Sequence, residues 1–281
     1  MSAIIMDGAA LAKKIKSRIR REIEANGYDP GLAVVIVGHN PASLIYVRNK
    51  KKDCEECGIR GIEFALPEGT GEEELLGLIE TLNCRGDIDG ILVQLPLPGH
   101  IDERKVLRAI CPEKDADAFN PFNVGLIVSG GGSFLPCTPA GIIELLDEYG
   151  IEIEGKNCVV IGRSNIVGKP LSLLLLQRNG TVTTCHSRTA KLGEFTRRAD
   201  ILVSAAGKRG LITADMVKPG AVVVDVAMNR TDDGKLCGDV AFDEVKQIAS
   251  YITPVPGGIG PMTRVMLMRN TVTAYKNRYG E

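Results

Sequence analysis

Residues 159–170 read VVIGRSNIVGKP, and the fold turns on how this stretch is understood. An apolar run from Cys158 to Ile161 has the length and content of a buried strand; it ends at Gly162, a short polar turn follows, and Gly168 opens a helix through Leu176. A strand, a glycine turn and a helix in that order aim backbone N–H groups and the positive end of a helix dipole at one spot, which is a natural seat for a dinucleotide pyrophosphate. The three-glycine spacing of a dinucleotide fingerprint is only loosely met. Ser164 stands where the second glycine would sit and Gly168 falls one place late, so the stretch alone does not separate a cofactor seat from an ordinary glycine-bounded βα turn.

Working outward, the same rhythm continues on the C-terminal side. Strands are expected at 181–185, 200–204 and 221–226, with helices at 168–178 and 190–198, which together describe a doubly wound sheet. On the N-terminal side Leu11, Ile15, Ile19 and Ile23 recur every fourth residue and predict an amphipathic helix from Asp7 to Asn26. Strands at 32–37, 62–66 and 89–94 then alternate with helices at 42–57, 72–83 and 103–110, and three β-α units imply a parallel sheet covered by helices. Residues 111–137 hold three Pro and four Gly with little periodicity and read as a long loop near a domain boundary. Thr138 and Pro139 are expected as N-cap and first residue of a helix to Tyr149, and a glycine- and proline-rich loop at 252–263 precedes a final helix from Thr263 to Asn277. The fold class is α/β in two domains, an N-terminal parallel βα substrate domain and a C-terminal Rossmann-like doubly wound dinucleotide domain.

Composition narrows the function classes. The chain's 34 Lys+Arg balance 35 Asp+Glu with charges interspersed, so no nucleic-acid partner is expected. No apolar run approaches the roughly 20 residues a bilayer span needs, and the N-terminus lacks a signal-peptide core, so no membrane partner and a cytoplasmic location are expected. Eight scattered Cys fit a reducing compartment; Cys54 and Cys57 form a lone C-x-x-C, read as two helix-face cysteines, with no metal site expected.

In an open parallel sheet ligands gather beyond the carboxyl ends of the strands. After strand 181–185 comes His186-Ser187-Arg188-Thr189, with no acid where one would hold the ribose hydroxyls of NAD. Arg163, Ser187 and Arg188 can instead surround a 2′-phosphate, which favours NADP; the alternative is that both arginines are solvated surface charges. Tyr46 and Lys50, four residues apart, lie on one face of the helix that follows the first long strand, and Ser43 precedes them. Gln94 ends its strand ahead of two prolines, placed to bind a heterocycle or an amine, or simply to cap the strand. Asp115 and Asp117 can bind a metal, but one of them reading the N–H edge of a ring is the better fit, since no His or acid cluster joins them.

Five stretches together resemble the bifunctional methylenetetrahydrofolate dehydrogenase/methenyltetrahydrofolate cyclohydrolases: NPASLIYVRNKKK (40–52), DGILVQLPLP (89–98), PEKDADAFNPFNVG (112–125), VVIGRSNIVGKP (159–170) and ITPVPGGIGPMT (252–263), in the family's order and over nearly the whole chain. The resemblance implies NADP-dependent oxidation of 5,10-methylenetetrahydrofolate to the 5,10-methenyl cation and hydrolysis of that cation to 10-formyltetrahydrofolate. It implies that Lys50 is the catalytic lysine, Gln94 orients it, Tyr46 stacks on the folate and Asp117 binds the pterin. It places Arg163, Ser164 and Ser187 on the cofactor side, where the residue reading also puts Gly162, Gly168 and Arg188, and it places Pro256, Gly257 and Gly258 on a stretch lining a cleft between the domains. It further implies a homodimer, and a folate domain of residues 1–137 completed by the final helix 263–281, beside an NADP domain at 138–262. The family commonly has K-D-V-D-G where this chain has Lys114-Asp115-Ala116-Asp117-Ala118, so Ala118 replaces a glycine; if that position needs positive φ, alanine costs about 1 kcal/mol or more. The rivals are another NADP oxidoreductase such as a shikimate-type dehydrogenase, a cofactor-binding regulator without chemistry, and a dehydrogenase lacking the hydrolysis. A shikimate-type enzyme is expected to carry a different lysine and aspartate pair and would not need Tyr46, Gln94 and the KDAD loop together, and intact Lys50, Gln94 and Asp117 argue against the regulator.

Overall fold

The computed structural model describes residues 2–280. In chain order the first half comprises β1 (Ile4–Ile5), α1 (Gly8–Asn26), β2 (Gly31–Val37), α2 (Pro41–Cys57), β3 (Arg60–Leu66), α3 (Glu72–Cys84), β4 (Gly90–Val93), α4 (Glu103–Ala109), α5 (Pro121–Val128) and α6 (Cys137–Glu148). The second comprises β5 (Asn157–Ile161), α7 (Gly168–Gln177), β6 (Thr181–Cys185), α8 (Leu192–Thr196), β7 (Ile201–Ser204), β8 (Val222–Asp225), β9 (Asn229–Arg230), β10 (Leu236–Cys237), α9 (Phe242–Val245), β11 (Tyr251–Ile252) and α10 (Ile259–Tyr279). These elements form two units. An N-terminal unit takes Lys13–Cys137 and Arg264–Glu281, and a C-terminal unit takes Met1–Ala12 and Thr138–Thr263.

The N-terminal unit is built on a parallel sheet of order β3-β2-β4. β2 is buried along its whole length, as a central parallel strand covered on both faces must be, and that is why its sequence is a continuous apolar run rather than an alternation. Val35, Ile79, Leu82, Ile88, Ile91 and Val106 interlock on one side of this sheet; emptying one of these positions to Ala costs about 2–5 kcal/mol. Because β2 sends its connection to β3 on one side and β4 returns on the other, the loops after β2 and β4 open a crevice at their carboxyl ends. α2 starts from the first of those loops, and Gln94 from the second.

The C-terminal unit carries a six-stranded sheet of order β1-β11-β8-β7-β5-β6, parallel throughout, and a separate β9–β10 hairpin. Here the strand order reverses between β5 and β7. Val159, Ile161, Leu202, Val223 and Ile252 form its core on one face. Among the described residues no helix is long and apolar enough to cross a membrane.

Several expectations are corrected. Residues 1–12 group with the C-terminal unit instead of the folate domain placed at 1–137, because Ile4 and Ile5, too short a pair to announce a strand, lie beside Tyr251 and Ile252. The stretch 111–137 is not one loop: Asn120 caps α5 by accepting the Phe122 N–H at 2.9 Å, with Pro121 at the first helical position. α6 begins at Cys137, so Thr138 lies inside it and shares a hydrogen bond with the Thr263 hydroxyl at 2.8 Å. α10 starts at Ile259, four residues before the expected Thr263, and takes up Pro261 in its first turn, where a missing N–H is harmless.

Candidate active site

In the N-terminal unit the α2 register sets the site. Lys50 sits one turn after Tyr46, and its Nζ donates to Gln94 Oε1 at 2.9 Å. The glutamine is itself fixed, since its Nε2 donates to the Leu95 carbonyl at 2.7 Å, and the Leu95–Pro96 peptide that follows is cis. Its carbonyl oxygen is thereby committed to the lysine. Burial pushes the Lys50 ammonium below its ordinary range, with the charge of Asp117 opposing. Asp117 is shifted the other way: burial raises its carboxyl, with Lys50 the main opposing influence. A buried amine and a buried carboxyl, each pulled toward its neutral form, are suited to exchange a proton. Cys137, whose thiol burial pushes well above its usual value, lies against Asp117.

The two aspartates of the KDAD run separate in role. Asp115 is 1% exposed and accepts the Asn120 N–H at 2.7 Å and Asn123 Nδ2 at 3.0 Å. Burial pushes its carboxyl up to about 6, the Asn120 and Asn123 hydrogen bonds opposing. It braces the loop, and Asp117 is the one left near Lys50. Cys54 and Cys57 are buried on the inner face of α2, their thiols each pushed up to about 12 by burial, and Cys54 Sγ lies 3.6 Å from Met268 Sδ. They pack as small apolar groups.

In the C-terminal unit the turn after β5 meets the turn after β7 at the point where the strand order reverses. Gly162 has φ +124°, and a Cβ there would lie 2.5 Å from the Ala205 carbonyl oxygen; a Cβ on Gly168 would strike the Gly162 carbonyl. Only glycine permits this closeness. Ser164, in the place of the second glycine, does a different job: its Oγ accepts the Val167 N–H at 3.2 Å and the Gly168 N–H at 3.4 Å, tying the turn to the start of α7. A cleft of about 520 Å³ opens here, lined by Gly162, Arg163, Ser164, His186, Ser187, Thr189, Ala205, Ala206 and Lys208 among others.

This lining fits a phosphorylated dinucleotide. Two cationic side chains and several hydroxyls face the cleft with no Asp or Glu among the described lining residues, and the glycine turn leaves room for a pyrophosphate against the α7 terminus. Arg163, Ser164 and Ser187 are brought together. Arg188 is not in the lining; its backbone N–H donates to His186 Nδ1 at 3.1 Å. Pro256, Gly257 and Gly258 belong to this unit too, after a cis Val255–Pro256 bond. Gly257, at φ +106°, accepts the Ala9 N–H at 2.9 Å, and Gly8 packs directly on the Gly258 carbonyl.

Two residues escaped the sequence reading. Lys208 lies in the loop after β7, which the same rule about strand ends would have picked out. Asp239 is fully buried and gathers the backbone N–H groups of Ala206, Gly207 and Lys208, so it shapes that loop from 31 to 33 residues away in sequence. No local signal marks it.

Comparison with known proteins agrees with this geometry. Residues 6–117 match the family model for the tetrahydrofolate dehydrogenase/cyclohydrolase catalytic domain, and residues 136–279 that for its NAD(P)-binding domain. The bifunctional protein FolD of Ruminiclostridium cellulolyticum is 60% identical over 98% of this chain and 98% of its own. Among solved structures, the bifunctional FolD methylenetetrahydrofolate dehydrogenase/cyclohydrolase of Campylobacter jejuni superposes with a TM-score of 0.96 at 49% identity, covering 99% of this chain and all of that one. The Trypanosoma brucei enzyme, solved with NADP cofactor and an inhibitor, gives 0.95 at 40% identity over the whole of both chains. Full-length matches of both domains in the order the two sheets occupy establish that this chain belongs to the tetrahydrofolate dehydrogenase/cyclohydrolase family.

Proposed function

We propose that this chain oxidises 5,10-methylenetetrahydrofolate with NADP and hydrolyses the resulting 5,10-methenyl cation to 10-formyltetrahydrofolate, with Lys50 as the proton-transfer group of the hydrolysis. NADP, when bound, supplies the hydride acceptor. The observation that carries the reading is the Lys50–Gln94 hydrogen bond at 2.9 Å, with Asp117 beside it, at the carboxyl ends of β2 and β4.

Lys50, made less basic by burial, takes a proton from the water whose oxygen bonds to the methenyl carbon. The carbinolamine so formed loses its hydroxyl proton as the carbon–N5 bond breaks. Lys50 returns its proton to N5, and one proton is released overall. Gln94 holds the amine in a single orientation throughout, which is worth more here than a second basic group would be. Asp117 accepts from the N–H edge of the pterin and Tyr46 offers its ring as a stacking surface. On the cofactor side Gly162, Ser164 and Gly168 shape the pyrophosphate seat, Arg163 and Ser187 take the 2′-phosphate, and Arg188 lends its backbone to orient His186. Pro256, Gly257 and Gly258 are assigned to the substrate side, as the family resemblance implies. The chain acts in the cytoplasm as a homodimer, a reading supported by the family resemblance.

The test follows absorbance in two assays, methylene substrate with NADP, then methenyl substrate alone. Both run in the wild type. Lys50→Ala should lower methenyl hydrolysis at least about 100-fold while leaving NADP affinity unchanged; near-normal hydrolysis in the variant would refute the role given to Lys50.

A further inference from the structure

We propose that Arg264 is a positioning residue for the reaction at Lys50, acting through its ion pair with Asp53 to cancel a buried carboxylate one helical turn from the reacting amine. This rests on the role assigned to Lys50 above. Lys50 and Asp53 are i and i+3 on α2, so their side chains rise from the same face. The Asp53 side chain is only 5% exposed. One oxygen lies 2.9 Å from Arg264 Nη1 on α10, the other accepts from Lys16 Nζ on α1 at 3.1 Å, and Lys16 is shared with Glu56 a turn further along α2. Three helices thus each contribute to one charge cluster behind Lys50.

The arithmetic of that cluster makes Arg264 decisive. Lys16 and Arg264 supply two positive charges against the two negative charges of Asp53 and Glu56, so these four cancel; Lys52 also meets Glu56, at 3.8 Å, but is 74% exposed, where solvent screens its charge. Without Arg264 the group is left with one net negative charge beside Lys50. A buried anion at that range favours the ammonium form and so removes the free amine the hydrolysis needs. Without Asp53 the group is left with one net positive charge, which acts in the opposite sense.

The other groups that face Lys50 leave room for this control. Asp117, which precedes α5, favours the ammonium, whereas Cys137 at the start of α6 and Cys54 on α2 itself are held as uncharged thiols by burial, and Gln94, after β4, is a neutral partner. Burial and Arg264 are what oppose Asp117. Asp53 therefore serves to hold Arg264 in place, and Arg264 serves to silence Asp53.

The experiment is the pH dependence of methenyl hydrolysis in full-length variants, with NADP affinity measured by fluorescence titration as a control on folding. Activity rises with pH through the limb at which Lys50 loses its proton. Arg264→Gln should move this limb up by about 0.5–1 pH unit, lowering the rate about 3–10-fold on its acid side. Asp53→Asn should move it down by a similar amount. Arg264→Lys should keep the limb in place, because the positive charge facing Asp53 survives. The double variant Asp53→Asn/Arg264→Gln should bring the limb back toward its original position, and it serves in place of Arg264→Gln if that protein does not fold. Damage to packing alone does not shift a limb in opposite directions in two single variants and restore it in their combination. A limb unmoved in both singles, or displaced the same way in both, overturns the proposal while leaving Lys50 in its role. If Lys50→Ala keeps both the hydrolysis and the limb, the reading of Lys50 falls and this inference falls with it.

Discussion

Replacing Asp239 by Asn tests how the cofactor cleft is built. The Asp239 carboxylate is 0% exposed and accepts five hydrogen bonds: Oδ2 from Ser204 Oγ at 2.9 Å, Ala206 N at 2.8 Å and Gly207 N at 3.2 Å, and Oδ1 from Lys208 N at 2.6 Å and Asn229 Nδ2 at 3.0 Å. An amide in its place must put an NH2 group where one of those oxygens was. Turned one way it faces three donors, turned the other way two, so even the cheaper orientation loses two hydrogen bonds and sets N–H against N–H. Hydrogen bonds to a charged acceptor contribute about 1.5–3 kcal/mol each. Sparing the cost of burying a carboxylate offsets part of that loss. The net should be about 2–3 kcal/mol.

Urea unfolding followed by circular dichroism reads the stability term directly. NADP titration reads the other half, because Ala205, Ala206 and Lys208 line the cleft and their backbone direction is set by this carboxylate. A loop released from Asp239 should bind NADP about 10-fold more weakly, equivalent to about 1.4 kcal/mol. Asp232→Asn is the control, since that residue is exposed and meets Arg209 at 3.4 Å; it should change stability by less than about 0.5 kcal/mol. If Asp239→Asn matches the control in both measurements, the loop is held by something other than this carboxylate.

Three further outcomes follow from particular side chains. Arg163→Ala should raise KM for NADP about 10-fold more than KM for NAD, because the lost guanidinium would have met the 2′-phosphate that only NADP carries; steady-state kinetics with both cofactors decide it, and an unchanged ratio removes Arg163 from that site. Ala118→Val should destabilise the fold by about 3 kcal/mol or more in urea unfolding, since φ there is +57° and the side chain is fully buried, so a β-branched group is both strained and crowded. Asp225 is held up at about 6 in the folded chain, by burial above all, against 3.8 for the ordinary carboxyl. The folded state therefore binds the extra proton between those values, and this group's contribution is fully present below pH 3.8 and lost as pH rises through 6. Asp225→Asn should consequently lose stability more steeply than the wild type on acidification from pH 6 to pH 4, by about 2–3 kcal/mol over the window, as read from urea midpoints.

What the sequence made legible was whatever local chemistry dictates. The apolar runs of β2, β4, β5 and β7 are continuous because parallel strands are covered on both faces, and their length and the turn residues that bound them give them away. The Gly162 turn was legible in part, since Gly168 answers to the Gly162 carbonyl six residues before it, whereas Gly162 answers to the Ala205 carbonyl on a distant strand end. Ile4–Ile5 was not, because two residues carry no period and owe their strand geometry to Tyr251 and Ile252, far along the chain. α5 was hidden by its own composition: Pro121 and the glycines after it suggested a loop, whereas the proline marks a helix start capped by Asn120. The pairing of Lys50 with Gln94, 44 residues apart, needed the sheet order before its distance meant anything, and the resemblance supplied the roles ahead of the geometry.

Ala118 shows why a departure in sequence need not be a departure in site geometry. The backbone there does adopt φ +57°, where alanine costs about 1–2 kcal/mol relative to its favoured conformations. Its methyl group, however, is fully buried in a cluster with Phe134 and Ala274, and a buried methyl contributes about 0.8 kcal/mol. The remaining strain is held by the neighbours on either side. The Ala118 N–H donates to the Asp115 carbonyl at 3.0 Å, Asp115 is itself tied to Asn120 and Asn123, and Asn270 Nδ2 donates to the Ala116 carbonyl at 2.8 Å. Hydrogen bonds made by Asp115, Ala116 and Ala118 thus bracket Asp117, so the position of its carboxyl beside Lys50 follows from the loop's hydrogen bonding and not from the freedom of a glycine after it.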